Sequence, residues 1–183
     1  MALDLVFITG NQNKADFLAK WLGHPVAHHK LDLDELQSLD LREVVEHKAR
    51  QAYGLLKKPV LVEDASLSFA AMGRLPGPFI KWFLEELGLE GLCRLALSLP
   101  NQEAHGRVCY ALYDGTAIKF FEGEMHGRIA PEVRGKGGFG FDPIFINDGY
   151  DITRAEMDEE TYAKTSYRTE ALAELKRYLD SVA

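Results

Sequence analysis

Leu5 to Thr9 is an apolar, partly β-branched run that stops at Gly10-Asn11, and helical spacing begins directly after it. This order constrains the fold more than any other feature. A short uninterrupted apolar run is what a strand buried on both faces requires. Phe17, Leu18, Trp21 and Leu22, within Lys14 to Leu22, then recur as one side of a helix. Val26 to Leu31 reads as a second strand. Leu41 to Leu56 reads as a long helix with Leu41, Val44, Val45, Ala49, Ala52, Leu55 and Leu56 on one side, and Pro59 follows it as a helix stop. Val60 to Val62 is another short apolar strand, with Glu63-Asp64 at its end. Strands alternating with helices predict a mixed α/β sheet with helices packed around it.

The second half reads differently. Gly73 to Pro78 is a loop. Phe79 to Leu87 and Glu90 to Leu99 are helices broken at Gly88. Arg107 to Tyr113 and Ala117 to Glu124 flank Asp114-Gly115-Thr116, a hairpin signal. Arg134 to Phe141 is a glycine-rich loop carrying Arg134 and Lys136. Thr169 to Val182 closes the chain as a helix with Leu172, Leu175, Leu179 and Val182 inward. No repeat or linker interrupts residues 1–183, and 183 residues suit one domain or two small lobes.

A formal charge of −7 argues against a general nucleic-acid or membrane-surface binder, although a small anionic substrate needs only a local basic cluster. The N-terminal segment has neither the basic start of a signal peptide nor the length of a membrane span, so a cytosolic location is expected. Cys93 and Cys109 show no metal-ligand spacing and read as reduced, buried thiols.

Several segments carry chemistry, each with an ordinary structural alternative. In Thr9-Gly10-Asn11-Gln12-Asn13-Lys14 the glycine permits a close backbone approach, the helix start offers amide donors to an anion, and Lys14 adds a charge. The alternative is a turn and helix start with a solvated lysine. It is not a Walker A loop. In Val62 to Leu67, paired carboxylates at a strand end suit a magnesium ion shared with phosphate, or a proton acceptor for an attacking water; helix or turn capping is equally compatible. Lys48 shares the apolar side of its helix, where it either snorkels or reaches a phosphate. Lys81, after Pro76-Gly77-Pro78, presents the same choice. Asp32, Asp34, Glu35 and Asp40 form an acidic stretch, one member of which could complete a metal site with Asp64. In Arg134 to Pro143, glycines allow close approach to a ligand, phenylalanines offer stacking faces and Asp142 offers an acceptor; a hairpin connection with aromatic anchors is the alternative.

Together these segments resemble the inosine triphosphate pyrophosphatase family. The similar stretches are TGNQNK (9–14), VEDASL (62–67), LPGPFIKWFLEELG (75–88), GRI (127–129), GFGFDPIF (138–145), and AEM (155–157) followed by SYR (166–168). Each is weak alone; their joint occurrence in the family order is specific. The resemblance implies an elongated α/β fold with a mixed sheet, flanking helices and two lobes around a central nucleotide-binding cleft, assembled as a homodimer. It implies magnesium-dependent hydrolysis of purine nucleoside triphosphates such as ITP, XTP and dITP to monophosphate and pyrophosphate. Carried over by motif, Thr9, Gly10, Asn11 and Lys14 hold the triphosphate. Glu35 and Asp64 bind metal, and Asp64 activates water. Lys48 and Lys81 bind substrate. Phe139, Gly140, Phe141 and Asp142 form the base-pocket segment, and Arg168 lies beside the base.

Three positions depart from the family pattern. Ala65 stands where a Ser or Thr follows the catalytic Asp. Tyr162 stands five residues after Met157, where the family has Lys, and Lys164 is the nearest amine along the chain. Tyr167 replaces the His of Ser-His-Arg. The changes at 162 and 167 fall in the base-reading part and leave the phosphate-cleaving part intact. Two further readings therefore stay open: a pyrophosphatase with shifted or relaxed base preference, and a nucleotide-binding protein without turnover.

Overall fold

The computed structural model describes residues 4–23 and 25–182; residues 1–3 of the N-terminal segment discussed above lie outside them. Its strands are β1 (Val6–Ile8), β2 (Ala27–His29), β3 (Val60–Phe69), β4 (Pro76–Gly77), β5 (Glu103–Tyr113), β6 (Ile118–Ile129) and β7 (Phe145–Asn147). Its helices are α1 (Gln12–Leu22), α2 (Leu41–Leu56), α3 (Ile80–Leu97), α4 (Glu159–Lys164) and α5 (Tyr167–Val182). The strands form one mixed sheet in the order β2-β1-β3-β5-β6-β7, with β4 also paired to β3.

β1 lies between β2 and β3 and pairs in parallel with both, Val6 opposite Ala27 on one side and Val60 on the other. Parallel neighbours need a crossover, which α1 supplies between β1 and β2 and α2 before β3. The later pairs β3–β4 and β6–β7 are antiparallel. The chain divides into two compact units. The first holds residues 1–64, 108–123 and 170–183; the second holds 65–107 and 124–169.

In the first unit, side chains alternate faces along each strand. Val6 and Ile8 of β1, Val60 and Val62 of β3, and Cys109 and Ala111 of β5 pack with Val45, Ala49 and Ala52 of α2. The small residues on α2 allow the helix to lie close to the sheet. Asp40 caps α2, its side chain accepting from the Arg42 amide at 2.9 Å. The expected inward face of α2 holds except at Leu55, which is exposed. On α5, Leu172 and Leu175 are buried as expected, but Val182, in the final turn, is exposed.

The hairpin signal is realised through Asp114. Its carboxylate accepts from the Thr116 and Ala117 amides, both at 2.8 Å, and from the Thr116 hydroxyl at 2.7 Å. These donors hold the carboxyl below its ordinary pKa. In the second unit, α3 is interrupted at Gly88, whose φ of 67° and ψ of 178° are not helical, which matches the expected break.

Two readings change. β3 continues to Phe69, so Glu63, Asp64, Ala65 and Ser66 are strand residues and the capping alternative does not apply. Gly73 to Pro78 includes β4, which pairs back on Leu67 and Ser68. The short helix α4 went unrecognised because it offers no buried residue and hence no apolar stripe.

Cys93 and Cys109 are free and buried. Burial pushes the Cys109 thiol up to about 12 and raises Cys93 as well. Thiolate is the reactive form, so alkylation by iodoacetamide at pH 8 should leave both cysteines unmodified in the native protein and label both after denaturation, as read by mass. Because the folded pKa of Cys109 is raised, its contribution to stability is present below the unfolded thiol pKa and declines as pH climbs toward about 12.

Candidate active site

Two clusters contain most of the residues selected from the sequence, one in each unit. The first grows from the alternation of β3. Val60 and Val62 face α2, so Asp64 continues toward α2 and Glu63 points to the opposite face. Lys48 lies on the buried side of α2, one residue before Ala49. Its Nζ donates to Asp64 Oδ2 at 2.6 Å and lies 3.9 Å from Glu35 Oε1. On the other face, Lys14 Nζ lies 3.2 Å from Glu63 Oε1, whose side chain is only 2% exposed. Adjacent carboxylates are thus separated by the strand and each meets its own lysine.

The loop before α1 is shaped by its polar residues. Asn11 caps the helix through its side-chain oxygen on the Lys14 amide at 3.3 Å, and its own amide donates to Thr9 Oγ1 at 3.0 Å. Gly10 lies against the Lys30 stem, which a Cβ would approach to 3.1 Å. Within the acidic stretch, Asp40 is used as a cap and Asp34 pairs with Gln51, its carboxylate accepting from Nε2 at 3.2 Å. Glu35 is the member brought toward Lys48.

Glu35 and Asp64 therefore converge on one cationic centre. Two hard carboxylates around a single positive group form a donor set that suits magnesium, with remaining positions left to water or phosphate. The Lys48 ammonium shows that this place accepts positive charge. Among the described residues no group of three or more His, Cys, Asp or Glu forms a metal cluster.

The second cluster surrounds Asp142, which is buried on a short turn before β7. Its Oδ1 accepts from Arg154 Nε at 3.0 Å. Its Oδ2 accepts from the Phe139 amide and the Tyr162 hydroxyl, both at 2.9 Å. Burial raises the Tyr162 phenol above its ordinary pKa, and the Asp142 carboxylate raises it further, so Tyr162 stays protonated and donates. The Arg154 guanidinium lies 4.2 Å from the Tyr162 ring centre. Arg168, also buried, places its guanidinium 4.6 Å from the rings of both Phe139 and Tyr167. Phe141 contacts Phe145 and Tyr167.

Other selected residues lie elsewhere. Lys81 is exposed in the first turn of α3 with its ammonium 5.2 Å from the Trp82 ring. Ala65 follows Asp64 along β3. Lys164 pairs with Glu160 across one exposed turn of α4 at 2.6 Å. Sequence reasoning missed Arg154 and weighed Glu63 only jointly with Asp64, as paired carboxylates, without separating the two. Nothing in the spacing of Arg154 distinguishes it from a surface arginine. For Glu63 the signal was available, since adjacent residues of a strand must face opposite ways.

The fold and the two clusters define an α/β protein with carboxylate–lysine chemistry on one unit and an aromatic, arginine-lined acceptor site on the other. Solved structures share this architecture. A HAM1 protein from Coxiella burnetii aligns with a TM-score of 0.85 at 25% identity over 97% of this chain and 98% of its own. The Staphylococcus aureus Ham1 protein aligns with a TM-score of 0.84 over 98% of this chain and 100% of its own. A sequence model of the Ham1 family matches residues 5–178, and the chain belongs to that family. Among curated relatives, inosine triphosphate pyrophosphatase 2 of Trypanosoma cruzi is 40% identical, covering 95% of this chain and 91% of its own. The inosine triphosphate pyrophosphatase of Schizosaccharomyces pombe is 38% identical, covering 97% and 95%.

The glycine-rich segment yields a direct test. Gly138 has φ +68°, and a Cβ there would lie 2.3 Å from Asp142 Oδ2; Gly140 has φ +64° but open space around it. Gly138→Ala should lower stability by about 2–4 kcal/mol, from strained backbone plus overpacking, and Gly140→Ala by about 1–2 kcal/mol, from backbone alone. Urea unfolding of the two variants compares them, and equal losses would contradict the described contact.

Proposed function

We propose that this chain hydrolyses purine nucleoside triphosphates, ITP, dITP and XTP foremost, to the monophosphate and pyrophosphate, removing non-standard purines from the nucleotide pool. The observation that carries the proposal is the convergence of Lys48, Asp64 and Glu35 in the first unit. The names of the curated relatives support the same activity.

In this reading Thr9, Gly10, Asn11 and Lys14 hold the triphosphate. The backbone before α1 approaches the phosphates closely, and Lys14 supplies a positive charge that its pairing with Glu63 keeps in place. Lys48 and Lys81 add charge toward the phosphates. Glu35 and Asp64 would hold magnesium, which when bound would supply positive charge to offset that of the triphosphate. Asp64 accepts a proton from the water that attacks the α-phosphorus, and the bond from that phosphorus to the β-bridging oxygen breaks. No covalent intermediate on the enzyme is needed. Ala65 offers a backbone amide but no hydroxyl at its position.

The second unit reads the base. Phe139, Gly140, Phe141 and Asp142 form the pocket segment, with Tyr162, Tyr167 and Arg168 beside it. A site that pairs with the 6-oxo edge of hypoxanthine or xanthine leaves groups unpaired against adenine, and this difference produces selectivity. Tyr162 and Tyr167 are the observations that favour a second reading, in which cleavage is kept and base preference is shifted. Tyr162 already donates to Asp142, and Tyr167 packs on Phe141. The chain acts as one catalytic domain over residues 1–183, as a homodimer in the cytosol, with neither nucleic acid nor membrane as partner. The acidic net charge supports that partner reading, and no described helix is long and apolar enough to cross a membrane.

Asp64→Asn tests the assignment. Turnover of ITP should fall about 10²–10⁴-fold while the thermal midpoint changes little. Near-normal turnover in a folded Asp64→Asn protein would remove Asp64 from the mechanism. With wild-type protein, chelation of divalent ions should abolish pyrophosphate release and added magnesium should restore it.

A further inference from the structure

Arg154 was not selected by any sequence pattern, yet its side chain is 0% exposed and ends in the second cluster. It sits on a short turn fixed by a reciprocal cap. The Thr153 amide donates to Glu156 Oε2 at 2.7 Å, and the Thr153 hydroxyl donates to the Arg134 carbonyl at 2.9 Å. From there its guanidinium is held on several sides. Nε donates to Asp142 Oδ1, and Nη1 donates to Asn147 Oδ1 at 3.0 Å and to the Thr165 carbonyl at 3.2 Å. Its face lies over the Tyr162 ring. Held through Nε and Nη1, the guanidinium presents a defined edge to Asp142.

What it binds matters because of the neighbouring loop. Gly135, Gly138 and Gly140 have positive φ, and glycine supplies no packing to hold a conformation. Asp142 holds this loop through the Phe139 amide, and Gly138 passes so near the carboxylate that a Cβ would collide with it. Arg154 orients Oδ1 while Tyr162 and Phe139 share Oδ2. A buried carboxylate deprived of its cation is left uncompensated and would move toward water, and that move takes away the acceptor that anchors the loop.

We infer that Arg154 is a positioning residue for base recognition, holding Asp142 and through it the Phe139 segment in the arrangement that receives the base. Tyr162 completes the arrangement by donating to the same carboxylate and covering the guanidinium face. A lysine at position 162 would instead place a second cation against Arg154, so in this chain the aromatic residue and the buried arginine belong together. What the segment receives rests on the hydrolase reading above; how it is held does not.

The test compares wild type with Arg154→Lys, Arg154→Met and Tyr162→Phe. The readouts are steady-state kinetics with ITP and ATP and amide hydrogen exchange at Phe139. For Arg154→Lys, which keeps the charge but loses the planar fork, KM for ITP should rise about tenfold with kcat within about threefold. The ITP-over-ATP preference in kcat/KM should drop about tenfold, and Phe139 exchange should accelerate at least about tenfold. Tyr162→Phe should move the same quantities in the same direction by a smaller factor. Should Arg154→Met fail to fold, the other two variants decide. Folded Arg154→Lys and Tyr162→Phe proteins with wild-type Phe139 exchange, KM and base preference would overturn the inference, as would a fall in kcat alone. Wild-type protein that turns over no triphosphate would refute the hydrolase reading. Phe139 exchange would then decide the Arg154 inference by itself, faster exchange supporting it and unchanged exchange overturning it.

Discussion

The alternation of side chains along β3 is the constraint on which the two carboxylate–lysine pairs of the first unit depend. A strand cannot present neighbouring residues to the same face. Glu63 and Asp64 are therefore parted: Glu63 is buried against Lys14 of α1, and Asp64 is directed to Lys48 of α2. The parallel pairing of β1 with β3 sets α1 and α2 relative to that strand. The small residues Ala49 and Ala52 let α2 lie close enough for Lys48 to reach Asp64. A one-residue slip in β3 would exchange the faces, placing the intended reactive carboxylate against α1 and burying its neighbour beneath α2.

The second unit solves a different physical problem. A loop proposed to receive a base must approach it closely, which favours glycine, and must also be rigid, which glycine opposes. The conflict is resolved from below. Asp142 anchors the loop amide, and Arg154 and Tyr162 anchor Asp142. Removing one partner from a buried ion pair of this kind costs about 3–5 kcal/mol because it strands the other charge. The network therefore stabilises the unit while it shapes the loop. Arg168 adds a cation over the Phe139 ring, which favours one orientation of that flat side chain.

Much of this was legible in the sequence, for identifiable reasons. The fold class followed from apolar runs alternating with helical stripes, and α2 was found at its observed limits because the apolar face and Pro59 agree. The break at Gly88 and the hairpin at Asp114 followed from turn chemistry. The length of β3 was not legible, since Glu63, Asp64 and Ser66 look like a polar boundary until their partners on other elements are known. α4 left no trace because none of its residues is fully buried and it carries no apolar stripe. The motif segments hold most of the residues that the fold gathers into the two clusters, but the place of Arg154 depends on contacts with Asp142, Asn147 and Thr165, which lie 7 to 12 residues away along the chain. The acidic stretch likewise offered four carboxylates that spacing does not separate; the resemblance picked Glu35, and the fold shows Asp40 used as a cap and Asp34 in a side-chain pair.

The central claim is attack by water at the α-phosphorus, and an isotope experiment tests it most directly. Turnover of ITP in ¹⁸O-labelled water with magnesium, followed by mass analysis of both products, locates the new oxygen. The account predicts the label in inosine monophosphate and unlabelled pyrophosphate. Label in pyrophosphate, or release of inorganic phosphate with a nucleoside diphosphate, would place the cleavage at a different bond and contradict it.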